Sequence, residues 1–346
     1  MTAPATTAAR SKGSGPASGV AGKASAGSRI LQKLAIDRFS GVYIIVVLVV
    51  TFCLWIPQTF ATQANLRVLL ASQAITGIIA LAATVCLISG VFDLSIGATM
   101  SLSISMVGVL QATGGVNPIV AVLISLAAGA AVGCINALVV TRFNIDPVIG
   151  TLAMSAVLAA VSWWVANGET VLYGLSPTFV SFGDIVLGVP APIIYLAVIA
   201  VIAWYVLEHT PAGRYLYAAG ANPVAARLSG VNVTKLTWGA LISSGVLASA
   251  AGVALTLQLG TAPFAGGVSY LLPAYAAAFL GSTQIEPGRF NVAGTVVSMF
   301  IVAVAVRGLQ LRLPDAPWIA DLVQGVILLL AVGFAVWARR RRIARG

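Results

Sequence analysis

Long apolar runs dominate this chain from Gly41 onward, and only short polar breaks separate them. Charged residues make up 8% of the sequence, whereas a water-soluble domain carries about 25%. A membrane-spanning helix needs roughly 20 consecutive apolar residues. About ten such runs fit the sequence, which predicts an all-α, polytopic membrane protein with about ten transmembrane helices. The predicted helices are 41–57, 66–89, 94–112, 118–140, 147–166, 190–207, 237–259, 268–283, 291–311 and 317–337.

The basic residues are unevenly divided between the two sides that these spans define. If the chain starts inside, 16 of its 19 Lys and Arg residues fall on inner segments. Cytoplasmic segments of membrane proteins are enriched in Lys and Arg. We therefore expect a multi-pass membrane protein with both termini in the cytoplasm. It divides into a disordered basic tail at 1–38, a transmembrane domain at 39–338 and a basic C-terminus at 339–346.

The ionisable residues are too few and too scattered for an active site. The sequence has nine acidic residues and one histidine, with no carboxylate pair or His cluster at catalytic or metal-binding spacing. The three cysteines lie in separate apolar runs without metal-ligand spacing. Because no basic face is rich in aromatic residues, nucleic acid is not expected as a partner. The sequence predicts no catalytic residue, no metal and no other cofactor.

Asp93 is the exception, because it lies at a break between two apolar runs, in SGVFDLSIGATMSLS. In one interpretation this is a re-entrant segment in which Asp93 and Ser95 line a translocation path. In the other, the Asp93 carboxylate caps the next helix by accepting the amide hydrogen of Ser95 or Ile96. Three other polar residues in or near the spans are candidates either for substrate contact or for interhelical hydrogen bonds. They are Asn136, Thr151 and Gln258.

A polar, basic segment, Glu208 to Lys235, interrupts the apolar runs on the predicted inner side. An apolar membrane protein has little reason to keep such a loop unless a soluble partner binds it. The alternative is a solvated amphipathic connector.

Four segments resemble the permeases of ribose-type ATP-binding cassette (ABC) sugar importers, in the branched-chain amino-acid/sugar permease family. They are FDLSIGATMSLS, INALVVTRFNIDPVIGTLAMSA, GRYLYAAGANPVAARLSGV and AAAFLGSTQIEPGRFNVAGTVV, in the family's order. The resemblance implies a type II ABC importer fold, separate cytoplasmic ATPase subunits, an extracytoplasmic binding protein, and a second permease copy or paralogue. The implied function is the passage of a pentose, hexose or related polyol through the lipid bilayer of the bacterial cytoplasmic (inner) membrane.

The resemblance further implies that the 208–236 loop couples the permease to the ATPase. Importer permeases carry the motif E-A-A-x-x-x-G there, and Val224 stands at the Glu position. In a helix Ala226 and Gly230 lie one turn apart on one face, so we expect a short helix that docks closely through small side chains. The candidate coupling residues are Arg214, Gly220, Asn222, Pro223, Ala225, Ala226, Arg227 and Gly230.

Four other functions stay open: a branched-chain amino-acid ABC permease, a nucleoside ABC permease, a purely structural membrane protein, against which the polar breaks at Asp93 and Pro263 argue, and an ion-coupled secondary transporter. The last has no support in the sequence, because the spans hold almost no ionisable groups at depth.

Overall fold

The chain folds almost entirely into helices, as a computed structural model that describes residues 36–186 and 188–343 shows. In chain order the elements are α1 (Ile36–Trp55), α2 (Pro57–Phe60), α3 (Gln63–Ile88), α4 (Ile96–Ala112), α5 (Pro118–Thr141), α6 (Pro147–Ala166), α7 (Pro177–Ser181), β1 (Ile185–Val186), β2 (Val189–Pro190), α8 (Ala191–His209), α9 (Pro211–Ala221), α10 (Pro223–Leu228), α11 (Val233–Leu259), a 3-10 turn (Val268–Tyr270), α12 (Leu271–Gly281), α13 (Val292–Arg312) and α14 (Ile319–Ile343).

Six helices are long and apolar enough to cross a membrane, namely α3, α5, α6, α8, α11 and α13. Four shorter apolar helices, at Ser40–Trp55, Ile96–Ala112, Val268–Gly281 and Ile319–Phe334, occupy the other four predicted positions. The prediction of an all-α polytopic membrane protein is confirmed. The number of helices that actually cross the bilayer stays a prediction.

Two helix starts show how local sequence sets these boundaries. α5 begins at Pro118 and α6 at Pro147, and each proline follows a residue with an amide-accepting side chain. The side chain of Asn117 accepts the amide hydrogen of Ile119 at 2.9 Å. Asp146 Oδ1 accepts that of Val148 at the same distance. Proline fits the first turn because its missing N–H has no partner there in any case, so both predicted starts are confirmed.

The core forms around α11 and α3, whose most apolar windows are 72% and 67% buried, against 22% for α6 and α8. Small residues let α11 approach its neighbours closely. Gly129 of α5 lies against the backbone of Gly245, and Gly252 lies against Met100 and Ser103 of α4. Close backbone approach is how membrane helices gain packing energy where lipid provides no hydrophobic drive. The outward faces of α6 and α8 are therefore left for the membrane.

Two breaks interrupt the long helices inside this bundle. The first, at residues 89–95, joins α3 to the 17-residue α4. The second, at 260–267, leads into the short α12. This second break packs against the first turns of α4, where the amide of Gly267 donates to Ser101 Oγ at 3.0 Å and the backbone of Gly267 lies against Gly97. Irregular backbone at this depth is tolerated only where protein or a water-filled cavity surrounds it.

The connections gather at two opposite ends of the bundle. At one, called the loop end, Trp238 Nε1 donates to Thr141 Oγ1 at 2.9 Å, which places the start of α11 beside the end of α5. At the other, called the hairpin end, β1 and β2 form a small antiparallel hairpin, and Val171 pairs with Ala262. α5 and α11 therefore run in opposite directions through the bundle, as two spans of a multi-pass chain can.

The two terminal segments are described only in part. Most of the tail predicted at 1–38 lies outside the described residues, and α1 begins at Ile36. The last helix continues to Ile343, beyond its predicted end at 337, so the basic run after 338 begins as helix. Residues 344–346 lie outside the described part of the chain.

Candidate functional site

The Asp93 carboxylate lies at the centre of a buried polar cluster, with 1% of the residue exposed. Its Oδ1 accepts from the Ser95 amide at 3.0 Å and from Ser95 Oγ at 2.6 Å. Its Oδ2 accepts from Ser244 Oγ of α11 at 2.8 Å. Among the described residues no Lys or Arg pairs with it. Three hydrogen bonds therefore take the place of an ion pair, since a buried carboxylate without partners is very costly.

The backbone of the first break is held by side chains from two other helices. Tyr275 of α12 accepts from the Asp93 amide at 3.2 Å and donates to the Asp93 carbonyl at 2.9 Å. Thr151 of α6 accepts from the amide of Leu94 at 2.9 Å. Because α4 starts only at Ile96, these amides have no helical partner, and the side chains satisfy them instead.

Asn136 of α5 completes the cluster by donating from Nδ2 to Ser95 Oγ at 2.8 Å. Its Oδ1 is buried and has no hydrogen-bond partner among the described residues. The structure thus brings together four of the five residues predicted for a translocation path, Asp93, Ser95, Asn136 and Thr151.

The two interpretations of Asp93 turn out to be compatible. The carboxylate takes the amide of Ser95, as the capping interpretation predicts, although α4 begins two residues further along than a cap at Asp93 requires. The segment is also a break inside the bundle, because Ser244 lies near the middle of the 27-residue α11. Asn136 and Thr151 reach this break from α5 and α6, and their hydrogen bonds go to Ser95 and Leu94 in the break itself.

Gln258 lies apart from this cluster. It is 14 residues after Ser244 on the same helix, a distance of about 21 Å at 1.5 Å per residue. Its Oε1 is buried, with no partner among the described residues.

The predicted coupling loop forms two short helices, α9 and α10, at the loop end. Asn222 starts α10 by accepting the amide hydrogens of Val224 and Ala225 at 3.1 and 3.0 Å, with Pro223 in its first turn. Gly220 presses against the backbone of Ile88, at the end of α3, where any side chain on Gly220 would collide with the carbonyl oxygen. The loop is therefore fixed to a membrane helix by direct backbone contact.

The expectation that Ala226 and Gly230 share a docking face is wrong. Ala226 is 6% exposed and packs inward against Ala219 and Val233. α10 ends at Leu228, and Gly230 lies beyond it with φ of +82°, in a left-handed conformation that favours glycine. The small residues therefore shape the loop and its packing on the protein itself.

The outer face of α10 has a different composition from the predicted one. Val224 is 63% exposed and Leu228, one turn later, is 86% exposed, with Arg227 exposed beside them. Residues four apart share one face of a helix, so this face offers two apolar side chains and one guanidinium. Val224 stands where the family motif has Glu, which makes the face apolar.

A second polar group, here called the junction, ties the loop to the connection between α12 and α13. The Arg289 guanidinium contacts Glu208 at 3.3 Å and Glu286 at 2.7 Å, and lies 3.6 Å from the centre of the Tyr217 ring. The Tyr217 hydroxyl is 2.9 Å from the carbonyl oxygen of Phe290 and 3.1 Å from Glu208 Oε1. Burial, and next the Glu208 carboxylate, raise the pKa of Tyr217, so its hydroxyl stays a donor.

Comparison with known proteins places this architecture in a family. Residues 65–332 match the family described as "Branched-chain amino acid transport system / permease component". The chain belongs to this family. The permease is a transporter component rather than an enzyme, and a multi-pass protein of the inner membrane, as predicted.

The permease is similar over most of its length to three curated proteins. It is 34% identical over 285 residues to the Escherichia coli K12 ribose import permease protein RbsC, and the aligned region covers 80% of this chain and 87% of that protein. It is 30% identical over 307 residues to the Rhizobium meliloti fructose import permease protein FrcC, covering 86% and 84%. It is 30% identical over 298 residues to the Escherichia coli K12 D-allose transport system permease protein AlsC, covering 86% and 90%. No solved structure matches the permease.

Sequence reasoning missed two members of the Asp93 cluster, Ser244 and Tyr275. Both lie in apolar spans, where hydroxyl groups are common and no motif marks these two. The usable signal was Asp93 itself, since a buried carboxylate requires donors from neighbouring helices. The junction was also missed, because Glu208 and Arg289 are 81 residues apart in the sequence.

Proposed function

We propose that the permease is the membrane-spanning subunit of an ABC importer that carries a monosaccharide or related polyol into the cytoplasm. The observation that carries the proposal is its family membership together with relatives named for ribose, fructose and D-allose. An extracytoplasmic binding protein delivers the sugar, and separate ATPase subunits drive transport. Two permeases, either two copies or this chain and a paralogue, form the membrane core.

The loop end faces the cytoplasm in this proposal. Its support is the bias of Lys and Arg, of which 16 of 19 fall on segments assigned to this side. The hairpin end then faces the binding protein.

The outer face of α10 binds the ATPase. Val224 and Leu228 are exposed on a loop that no lipid covers in this orientation, and burying a Leu side chain stabilises a contact by about 1.5–3 kcal/mol. Arg214 and Arg227 are exposed on the same loop and suit an acidic rim on the partner. An apolar contact thus replaces the charge pairing that the motif's Glu offers in other permeases.

Movement of the ATPase reaches the membrane helices by two rigid contacts. Gly220 contacts the backbone at the end of α3, and Arg289 joins the connection between α12 and α13 to Glu208 through an ion pair. When ATP closes the ATPase subunits, the loop moves as a body and shifts these helices, which switches the path between outward- and inward-facing states. Such a switch needs two packings of the same helices, each favoured by a different ligand.

The Asp93 cluster holds the wall of the path in place while the gates move. Asp93, Ser95, Asn136 and Thr151 fix the break from which α4 starts. The buried Oδ1 of Asn136 there, and the buried Oε1 of Gln258 nearer the hairpin end, are acceptors without a partner among residues 36–186 and 188–343. These five residues are the proposed polar wall.

The main rival is a permease for branched-chain amino acids, because the family description names that substrate. A nucleoside permease is a further rival with the same architecture. The three relatives named for sugars favour a sugar over both. An ion-coupled secondary transporter is disfavoured by the exposed apolar face of α10, which such a transporter does not require.

Co-purification tests the proposal. The tagged permease, expressed together with the ATPase and binding protein of the proposed importer, should bring down the ATPase in detergent. Leu228→Asp should remove most of it, whereas Leu172→Asp, at an exposed position beside Val171 at the hairpin end, should retain it. The binding protein should be stabilised against heat by a monosaccharide and not by leucine or adenosine. Stabilisation of the binding protein by leucine alone contradicts the proposal, and so does unchanged recovery of the ATPase with Leu228→Asp.

A further inference from the structure

A cavity of about 310 Å³ lies between α3, α12, α13 and α14, away from the Asp93 cluster. Its upper part is formed by the last turns of α13 and the first turns of α14, which lie toward the hairpin end. Its floor is formed by Thr76 of α3 and Met299 of α13, which are 7% and 1% exposed. The cavity therefore extends from the hairpin end to about mid-depth in the bundle and stops there.

The lining is unusual for a membrane protein because it carries three side-chain amides. Gln73, Gln310 and Gln324 come from three different helices. Gln310 and Gln324 have no hydrogen-bond partner among the described residues, and Gln73 makes only a 3.4 Å contact with the neighbouring Ser72. Polar groups facing lipid are costly, so amides that converge on a cavity indicate a polar content.

Arg307, the one charged residue among those described in the lining, already makes a hydrogen bond through Nε. Arg307 donates from Nε to Asn65 Oδ1 at 2.8 Å, and the Asn65 side chain in turn donates to the Phe60 carbonyl at 3.0 Å. No carboxylate of the described residues pairs with Arg307. The guanidinium therefore adds donors, while each amide supplies both donors and an acceptor.

From this arrangement we infer that the cavity is the outward vestibule for the transported solute, and that it binds a neutral, polyhydroxylated molecule of monosaccharide size. Each hydroxyl of a sugar both donates and accepts, so the three neutral amides match it with both kinds of group, and the Arg307 guanidinium adds donors for hydroxyl oxygens. A volume of about 310 Å³ lies at the low end of small-molecule pockets, about 300–1,000 Å³, which suits one monosaccharide. The inference rests on the proposed function for the direction of transport.

Met299 closes the floor of this vestibule. Its thioether packs directly onto Gly77 of α3, where a side chain would leave it no room. Methionine has three rotatable bonds and adapts to changing surroundings, so it can withdraw when α3 and α13 separate. The proposed coupling contacts act on these same two helices, through Gly220 and Arg289. ATPase movement thus opens the floor and passes the solute toward the loop end.

Cysteine accessibility tests the vestibule without relying on transport. In the intact importer in proteoliposomes, Cys53 and Cys134 are changed to Ala and the fully buried Cys86 is kept. Single cysteines are then placed at Gln310, Gln324 and the matched control Val326, an exposed apolar position on α14. A charged, membrane-impermeant methanethiosulfonate reagent should modify the two cavity positions quickly and the lipid-facing control at least tenfold more slowly.

Sugar protection then identifies the content. D-ribose, D-fructose or D-allose, supplied with the binding protein, should slow modification of Gln310→Cys several-fold, whereas leucine should not. Equal rates at all three positions, or slow rates at both cavity positions, overturn the vestibule. Fast modification with no protection by any of the three sugars overturns the binding site, and protection by anionic phospholipid instead assigns the cavity to a lipid headgroup.

Transport provides an independent measure. Gln310→Leu and Gln324→Leu should each lower uptake about 2- to 12-fold at sub-saturating sugar, the range for one lost neutral hydrogen bond, with ATPase binding intact. Val326→Leu should transport like the wild type. If the wild type takes up no sugar at all, the proposed function fails, while the accessibility result still decides whether a polar vestibule exists.

Discussion

Replacing Ser244 by Ala is the sharpest test of the Asp93 cluster. Within the described part of the chain, Ser244 Oγ is the only donor to Asp93 Oδ2, at 2.8 Å, whereas Oδ1 accepts from both groups of Ser95. The substitution therefore leaves one carboxylate oxygen unpartnered in a residue that is 1% exposed. The cost of such a buried, unsatisfied acceptor is about 1–3 kcal/mol. The removed hydroxyl is small, so loss of packing adds little.

The assay is the thermal stability of the purified permease in detergent, followed by the fraction that survives heating as a monodisperse species. At about 2–4 °C per kcal/mol for a chain of this size, Ser244→Ala should lower the midpoint by roughly 2–12 °C. Ser243→Ala is the matched control, because the neighbouring serine is exposed and the same atom is removed. Its midpoint should stay within about 1 °C of the wild type.

A double-mutant cycle separates this bond from general disturbance of α11. In Asp93→Asn the carboxylate is absent, so adding Ser244→Ala should cost less than it does in the wild type, by about 0.5–3 kcal/mol. Equal midpoints for Ser244→Ala and Ser243→Ala, or full additivity in the cycle, would falsify the role given to this hydrogen bond.

Three further predictions concern the loop end. Gly220→Ala places a methyl group against the Ile88 carbonyl and should destabilise the permease by about 1–3 kcal/mol in the same heating assay. Gly239→Ala is the control: its methyl group meets open space in α11, so the change should be neutral or stabilising. Arg289→Ala should cost only about 1 kcal/mol of stability, because its ion pairs are half-exposed. It should nevertheless lower the amount of sugar taken up per ATP hydrolysed in proteoliposomes. An unchanged ratio contradicts the role of the junction in transmitting ATPase movement. Arg289→Lys should restore coupling only in part, since Lys keeps the charge but not the planar contact on the Tyr217 ring, and full rescue would show that charge alone suffices.

The helical framework was largely predictable from the sequence because hydropathy and turn residues determine it locally. Runs of about 20 apolar residues indicated the spans, and the pairs Asn117-Pro118 and Asp146-Pro147 marked two helix starts to the residue. Both breaks were also visible, since Asp93 and Pro263 each interrupt an otherwise apolar stretch. These features depend on neighbours within one or two helical turns, which a sequence displays directly.

The three-dimensional parts of the site were not predictable in the same way. Ser244 and Tyr275 reach Asp93 from 151 and 182 residues away, and an isolated hydroxyl in a span gives no sign of its partner. The error at Ala226 arose from extending a helix through Ser229, although Gly230 takes up a left-handed conformation that ends it. The direction that a short loop helix faces depends on what it packs against, and that information lies in α3 and α11.

ATP-driven uptake tests the central claim most directly. The permease, reconstituted in proteoliposomes with its ATPase and with binding protein in the medium corresponding to the hairpin end, is given radiolabelled ribose, fructose, D-allose or leucine. The account predicts accumulation of at least one sugar that requires hydrolysable ATP on the loop side and is abolished by Leu228→Asp. Accumulation of leucine alone, or sugar uptake that follows an imposed ion gradient and ignores ATP, would contradict it.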